Sequence, residues 1–376
     1  MKLVKESDRR RCVCHIITGL GTGGAERSLF NLLKGPLGTA FRHNVISLTT
    51  FGTYGKQLRD IGYEVTALDI KHAPWRFGRL RGLVRRQQPD IVQGWMYHGN
   101  LAASFACPSS VRLVWNVRHG LEDFAGEKRT TQLAIQANRM ISARPDRVLF
   151  NAEIARRQHI KLGFTEENTQ VIPNGFDTEL FRFDPYQRAQ LRQQLGISAT
   201  APVIGHLGRF HPVKDHDTFL KASLRVLADR SDVHLVLAGY GVSYETPFFN
   251  ERILGALRPR VHLLEDRRDV SAVLSAMDIF AQSSRVEGFP NVLGEAMSTE
   301  RACVATDVGD SAFVLADAGL IVPPEDSAAL EAGMRKFLSD PELRIKSGTQ
   351  ARKRVKTDFP LDGTAQAYIN LYRSFF

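Results

Sequence analysis

Short apolar runs alternate along this chain with longer stretches whose apolar positions recur every three or four residues, and the alternation is played through twice. Residues 12–18, 44–48, 64–68, 91–93, 112–117, 147–150 and 169–172 are β-branched or aliphatic runs with the length and composition of buried strands. A second series follows at 202–207, 234–238, 261–264, 279–281, 302–306 and 320–322. Helical patterns fill the gaps, so the rhythm predicts an α/β protein of βαβ units around parallel sheets, the same architecture used twice. Ile172-Pro-Asn-Gly-Phe-Asp177 is a turn cluster between the halves, of the kind that closes one domain and opens another. The expected division is 1–177, 178–355 and a tail, 356–376. The apolar periodicity of 361–376 makes that tail either an ordinary last helix or a strap returning to the first domain.

Length supports this reading, because 376 residues exceed what one core serves. With 43% hydrophobic residues, two cores can be filled. The four cysteines, Cys12, Cys14, Cys107 and Cys303, contain no Cys-x-x-Cys, which argues against a zinc site or a disulfide framework and fits a reducing cytoplasm. Lys2, Lys5, Arg9, Arg10 and Arg11 precede an apolar run with no small-residue cleavage site, so no secretion signal is expected. No apolar run approaches the ~20 residues of a membrane span. A soluble or peripheral protein is predicted. Residues 1–177 carry 26 Lys and Arg against 15 Asp and Glu, so the basic surface belongs to the first half. These basic residues lack a nucleic-acid recognition motif.

Directly after the first run stands Gly19-Leu-Gly21-Thr-Gly23-Gly24-Ala-Glu26, formally a Gly-x-Gly-x-x-Gly. A dinucleotide site also needs an acid at the end of the second strand, where the chain reads Ser47-Leu-Thr-Thr50. The dehydrogenase reading therefore falls. Two remain: a loop whose amides approach a phosphate or sugar, and a tight strand-to-helix turn that needs glycine.

The second half carries the sharper constellation. Arg209 and Lys214 lie five apart in Gly208-Arg-Phe-His-Pro-Val-Lys214, on one loop after a strand, where a planar fork and a point charge can clamp a diphosphate. The bland alternative is two solvated loop charges. Asp215-His-Asp217 resembles an Asp-x-Asp metal pair, yet Asp215 is equally an N-cap or first-turn acid. Glu287-Gly-Phe-Pro-Asn-Val-Leu-Gly-Glu295 places two carboxylates eight apart around a turn, with Pro290 suited to a first helical position and free amides that favour an anion. A glycoside hydrolase needs its carboxyls on opposite sides of a scissile bond. One loop and helix set them on the same side, where accepting hydroxyl hydrogen bonds is the simpler role, with a solvated Glu295 as the alternative.

Gly23-Gly-Ala-Glu26, Ile172-Pro-Asn-Gly-Phe-Asp177, Gly208-Arg-Phe with Lys214, Glu287-Gly-Phe-Pro-Asn and Glu295-Ala-Met297 occur in an order that resembles glycosyltransferase family 4 over nearly the whole chain. The resemblance implies the GT-B fold, two Rossmann-like domains facing across a cleft, with a nucleotide sugar held mainly by the second. It implies Arg209 and Lys214 on the diphosphate, Glu287 on the donor sugar, Glu295 on the ribose, and the backbone of Gly288, Phe289, Pro290, Asn291 and Val292 facing the donor. Gly23 and Gly24 would join the donor site from the first half, and His119 would point toward the transferred sugar. Trp115-Asn-Val-Arg-His-Gly, Glu127-Lys-Arg and Arg144-Pro-Asp146 are similar to bacterial members that build surface polysaccharides, including lipopolysaccharide. Glu300, Ala302, Tyr240 and Phe313 depart from family patterns that often have Gly, Pro, an acid and Glu there, which leaves the clamp intact and the base and sugar open.

The resemblance further implies a retaining transfer from a UDP- or GDP-sugar with no obligatory metal or other cofactor. Its acceptor would be a saccharide or polyprenyl-linked oligosaccharide met by the first domain. Residues 75–86 mix five arginines with aromatic and aliphatic positions, a composition that can lie on an anionic bilayer or form an ordinary cationic helix. Cytoplasmic placement, or peripheral attachment to the cytoplasmic face of the inner membrane, is expected. An epimerase of the same fold and a non-catalytic nucleotide-sugar-binding module are the alternatives.

Overall fold

Strands form at every one of the apolar runs. In the computed structural model, which describes residues 10–121, 124, 126 and 128–376, they are β1 (Cys12–Ile17), β2 (Arg42–Ser47), β3 (Glu64–Ala67), β4 (Ile91–Trp95), β5 (Arg112–Val117), β6 (Arg147–Phe150) and β7 (Thr169–Val171), then β8 (Val203–Leu207), β9 (His234–Ala238), β10 (Val261–Leu263), β11 (Ile279–Gln282), β12 (Ala302–Thr306) and β13 (Leu320–Val322). Lys2, Lys5 and Arg9 of the basic start, and Glu127, lie outside the described residues.

The first sheet runs β3-β2-β1-β4-β5-β6-β7 and the second β10-β9-β8-β11-β12-β13, each with parallel pairing throughout. This is the doubly wound order of a Rossmann-like sheet. Helices cover both faces of such sheets, which is why β1, β4, β8 and β12 are buried at every position and read as unbroken apolar runs instead of alternating ones. In each sheet the winding reverses between two adjacent strands, β1 and β4 in the first, β8 and β11 in the second. Their carboxyl ends leave a crevice where ligands bind. The glycine loop follows β1, the Arg209–Lys214 loop follows β8, and Glu287 follows β11.

The chain divides into one unit made of Met1–Gly175 with Leu361–Phe376 and another made of Phe176–Pro360. This boundary differs from the expected 178–355 because the helix Pro341–Asp358 runs on unbroken. Phe176 N–H then donates to the Phe359 carbonyl at 2.9 Å, and Phe176 bridges Pro360. The last helix, Leu361–Arg373, buries Ala365, Tyr368, Ile369, Leu371 and Tyr372 in the first unit's core with Trp95 and Val114. Its docking is specified by polar pairs as well as by apolar area. Asn116 of β5 donates to the Tyr368 hydroxyl at 2.6 Å, and the Tyr372 hydroxyl donates to Gln93 of β4. Both amides are fully buried under this helix, where water cannot reach them, so the helix must supply the partners itself.

A buried chain of hydrogen bonds also crosses the first sheet. The Trp95 indole donates to His15 Nδ1 at 3.2 Å, so His15 carries its proton on Nε2 and donates to His43 Nδ1 at 2.9 Å. His43 Nε2 then donates to the Leu37 carbonyl at 3.0 Å. Burial holds both imidazoles neutral, with His43 pushed down to about 4 and His15 lower than its ordinary value.

Candidate functional site

In the second unit the loop after β8 is shaped by its neighbours before it can hold anything. Gly239 has φ +151°, and a Cβ there would stand 2.1 Å from the Gly208 carbonyl, so only glycine lets the turns after β8 and β9 approach this closely. Phe210 N–H donates to the Tyr240 carbonyl at 2.7 Å. Below the loop, buried His206 and His216 meet edge to face at 4.7 Å, and His206 Nδ1 donates to the Ala281 carbonyl at 2.9 Å. Burial holds His216 down to about 4, so the layer under Arg209 and Lys214 is aromatic and uncharged.

Lys214 closes a short turn, Pro212–Lys214, and its Nζ lies 2.5 Å from Glu287 Oε1. Ser284 Oγ donates to the same oxygen at 2.7 Å. The structure thus joins the cation expected on the diphosphate to the carboxylate expected on the sugar, on a loop that Ser283 fastens by donating to the Lys214 and Asp215 carbonyls at 3.0 and 2.9 Å. Lys214 and Glu287 keep 22% and 12% of their side-chain surface exposed, enough for a ligand to reach a partly desolvated pair. Arg209 is exposed, and its side chain has no hydrogen bond or ion pair among the described residues.

Asp215, at φ +47°, is the N-cap of His216–Asp229 and accepts from Thr218 N–H, while Arg285 Nε pairs with it at 3.0 Å. Asp217 is paired with Lys221 at 2.6 Å and Arg252 at 3.3 Å. Both acids of the Asp-x-Asp sequence are therefore engaged in capping and ion pairs. Among the described residues no cluster of three or more His, Cys, Asp or Glu has the arrangement of a metal site.

Pro290 is the N-cap of Asn291–Ser298, with φ −81° and ψ 82°. This corrects the expected first helical position by one residue: Phe289 is buried against Phe176 and Phe359 at 5.9 Å from each, which holds the turn open until Asn291. Asn291 and Glu295 share a helix face by their spacing of four. Glu295 is 2% exposed, so it is no solvated helix residue. The turn itself rests on a residue that the sequence did not single out. Gly309 has φ +56°, a Cβ there would meet the Glu287 carbonyl at 2.4 Å, and Asp310 N–H donates to the Gly288 carbonyl at 3.0 Å. Gly309-Asp310 after an apolar run was the available signal, but a turn glycine is too common to stand out. Ser283 and Ser284, likewise missed, read only as strand-end polar residues.

Of the departures, Tyr240 is 75% exposed and Phe313 54% exposed, with Phe313 edge-on to Phe359. Glu300 pairs with Arg352 at 3.4 Å, and Ala302 is buried as the first residue of β12.

The first unit's strand ends are built differently. Gly23 is the N-cap of Gly24–Lys34 and offers no side chain to it, while the Glu26 carboxylate folds back so that a Cβ on Gly23 would stand 2.3 Å from it. Gly24 and Gly21 face open space. Met96, at φ +61°, turns β4 into the helix Met96–Ala106. His119, two residues past β5, lies edge-on to Tyr97 at 6.4 Å, and Arg118 beside it bonds to Ser28 and Asn174.

Residues 75–86 form a turn, Pro74–Arg79, and a helix, Leu80–Gln87. Leu80 and Val84 are fully buried, and Phe77 stacks on Phe105 at 5.0 Å. These apolar residues serve the fold. What faces outward is Arg79, Arg81, Arg85 and Arg86, with Trp75 76% exposed.

Two doubly wound parallel sheets, with the Arg209–Lys214 loop and the Glu287 turn at the switch point of the second, define a GT-B glycosyltransferase fold. Two family models match, Glycosyltransferase Family 4 over residues 22–180 and Glycosyl transferases group 1 over residues 201–340, and together they cover most of the chain, which belongs to glycosyltransferase family 4. Among curated relatives, it is 28% identical over 221 residues to the lipopolysaccharide core biosynthesis mannosyltransferase LpcC of Rhizobium leguminosarum bv. viciae, spanning 56% of this chain and 61% of that protein. It is 30% identical over 263 residues to a D-inositol 3-phosphate glycosyltransferase of Geodermatophilus obscurus, spanning 65% and 56%. The matches thus span about three fifths of these relatives' lengths. Among solved structures, Anabaena Alr3699/HepE in complex with UDP superposes with a TM-score of 0.83 at 22% identity, covering 97% of this chain and all of that one. WaaG, a glycosyltransferase involved in lipopolysaccharide biosynthesis, does so with 0.72 at 16%, covering 96% and 99%.

Proposed function

We propose that this chain is a retaining, metal-independent glycosyltransferase that moves a sugar from a UDP- or GDP-sugar to a lipid-linked saccharide in bacterial surface-polysaccharide synthesis. The observation that carries the reading is the Lys214–Glu287 pair beside an open Arg209, placed after β8 and β11. As the bond from the anomeric carbon to the phosphate oxygen breaks, charge grows on the leaving diphosphate. Lys214 and Arg209 stabilise that charge, and the amides at the start of Asn291–Ser298 add to it. The acceptor oxygen bonds to the same face of the anomeric carbon, and its proton passes to the departing phosphate oxygen. Glu287 accepts from the donor sugar's hydroxyls and Glu295 from the ribose, while Gly23, Gly24 and His119 serve from the first unit. The relatives' names support a surface-glycan role, and a neighbour solved with UDP-glucose supports the donor class.

No helix among the described residues is long and apolar enough to cross a membrane. The lipid-linked acceptor is reached at the inner membrane's cytoplasmic face by Arg79, Arg81, Arg85 and Arg86, an electrostatic attachment with Trp75 at its edge. The test is transfer from a panel of UDP- and GDP-sugars to a lipid-linked saccharide, in EDTA, with the product's anomeric configuration read by NMR. Retained configuration in chelator supports the proposal; inversion, dependence on metal, or epimerised donor without transfer overturns it. Loss of flotation with anionic liposomes on neutralising the four arginines checks the attachment, which is wrong if flotation is unchanged.

A further inference from the structure

Arg118 is a charge in the first unit that meets no acid among the described residues. It follows β5 by one residue, lies part-buried, and has three polar neighbours, all neutral. Its Nη2 donates to Ser28 Oγ at 2.7 Å and to Asn174 Oδ1, and the Tyr368 hydroxyl is its third hydrogen-bonding neighbour. The guanidinium carbon also stands 5.7 Å from the Trp95 ring. No carboxylate among the described residues pairs with it. Among the described residues, buried Arg192 meets Asp278 at 2.7 Å, whereas buried Arg301 is answered by the Thr299 and Met277 carbonyls. A guanidinium withdrawn from water and answered only by dipoles is a costly arrangement, and here burial holds it below its ordinary pKa.

The surroundings of Arg118 have room for the missing charge. Ser28 sits one turn after Gly24 on the same face of its helix, and a Cβ on Gly24 would meet nothing within 4 Å. Space is therefore open beside the helix start, directly above the hydroxyl that Arg118 holds. Glu26 lies about 200° around the helix from Gly24 and Ser28 by the 100° step per residue, and it is directed at Gly23, away from that space. The bonds to Ser28 and Asn174 both leave from one end of the fork, Nη2, whereas bidentate capture of an oxyanion uses two parallel N–H groups.

We propose that Arg118, with Ser28 and beside the Gly23–Gly24 turn assigned above to the donor, binds an oxyanion, the phosphate or carboxylate of the acceptor substrate. The site itself is read from the first unit alone; only the assignment of its ligand to the acceptor rests on the function proposed above. Arg118 is then a binding residue that orders the acceptor without touching the reacting atoms.

The experiment uses the full chain with Lys214→Ala, so that anion binding at the second unit's clamp is removed, and follows thermal stability and tryptophan fluorescence during titration with inorganic phosphate, acetate and UDP. A ligand bound only to the folded state raises its apparent stability. Phosphate or acetate is expected to stabilise the Lys214→Ala protein, and Arg118→Gln added to it should weaken that response by about tenfold, equivalent to 1.4 kcal/mol. Arg118→Lys, which keeps the charge and loses the fork, should fall between them. Phosphate against acetate tells the two oxyanions apart. If the anion response is the same in Arg118→Gln as in its parent, or absent from the parent, the site is wrong. Should Arg118→Gln fail to fold, an unweakened response in Arg118→Lys overturns the fork. If UDP still binds Lys214→Ala as tightly as the wild type, the donor assignment fails while the Arg118 result stands.

Discussion

The two units wind their sheets in the same order, yet the partly buried cations at their switch points, Lys214 and Arg118, are answered differently. In the second, a cation and a carboxylate meet 2.5 Å apart over a neutral aromatic floor of His206, His216 and Phe210. In the first, an arginine stands among a serine, an asparagine and a tyrosine, beside a glycine helix start whose nearest acid is folded onto its own turn. A Rossmann-like sheet therefore sets where a site lies but not what it binds. A balanced pair can exchange its internal counter-ion for a ligand's phosphate, whereas a cation that meets no acid among the described residues can take an anion from a ligand.

The largest test of that contrast is Lys214→Ala, which should cut turnover by about 10²- to 10³-fold, as loss of a donor aimed at developing charge does, with Arg209→Ala in the same direction. Glycosyl transfer within a few-fold of wild type in both variants breaks the comparison from the second unit's side. A second test reaches both units together. His43 and His216, one in each, are each held down to about 4 by burial, against an ordinary value of about 6.5. The unfolded chain then binds more protons than the folded one as pH falls, so stability is full above about pH 6.5 and is lost progressively between 6.5 and about 4, by up to about 1.4 kcal/mol per pH unit for each histidine. Urea midpoints that stay constant from pH 7 to 5 would refute this.

Glu295→Ala sharpens the division of labour within the second site. It should raise the donor KM about tenfold, the value of a hydrogen bond to a charged group, and leave kcat nearly unchanged; a fall in kcat with constant KM would assign Glu295 to the transition state. The smallest expected effect belongs to the first unit. Tyr372→Phe and Tyr368→Phe should each cost about 1–2 kcal/mol by stripping a buried amide of its partner, read from urea denaturation. Neutral substitutions would mean that the last helix docks through apolar area alone.

Much of this was legible in advance, for identifiable reasons. Strands buried on both faces must be apolar throughout, so all the runs from Cys12 to Val322 were visible, with errors of only a residue or two at their ends. Arg209, Lys214, Glu287 and Glu295 could be singled out because charges beside turn signals stand out against apolar strands. Pro290 fell one position off because Phe289 turns inward to Phe176 and Phe359, contacts between residues far apart in the chain. The arginine-rich segment showed its charges truly, but the aliphatic residues offered to a bilayer by composition are buried against the sheet as Leu80 and Val84.

The sequence by itself determined the elements and the doubly repeated βαβ order, because periodicity and turn chemistry act within a few residues. It also determined which polar groups stand at the strand ends. Tertiary structure alone decided that Lys214 pairs with Glu287 and that Gly309 supports the turn that follows Glu287. It alone decided that Tyr368 and Tyr372 answer Asn116 and Gln93, and that Arg118 meets no acid among the described residues. Each of those outcomes depends on side chains brought together from distant parts of the chain by the winding of a sheet, and pairing at such separations leaves no periodic mark in the sequence.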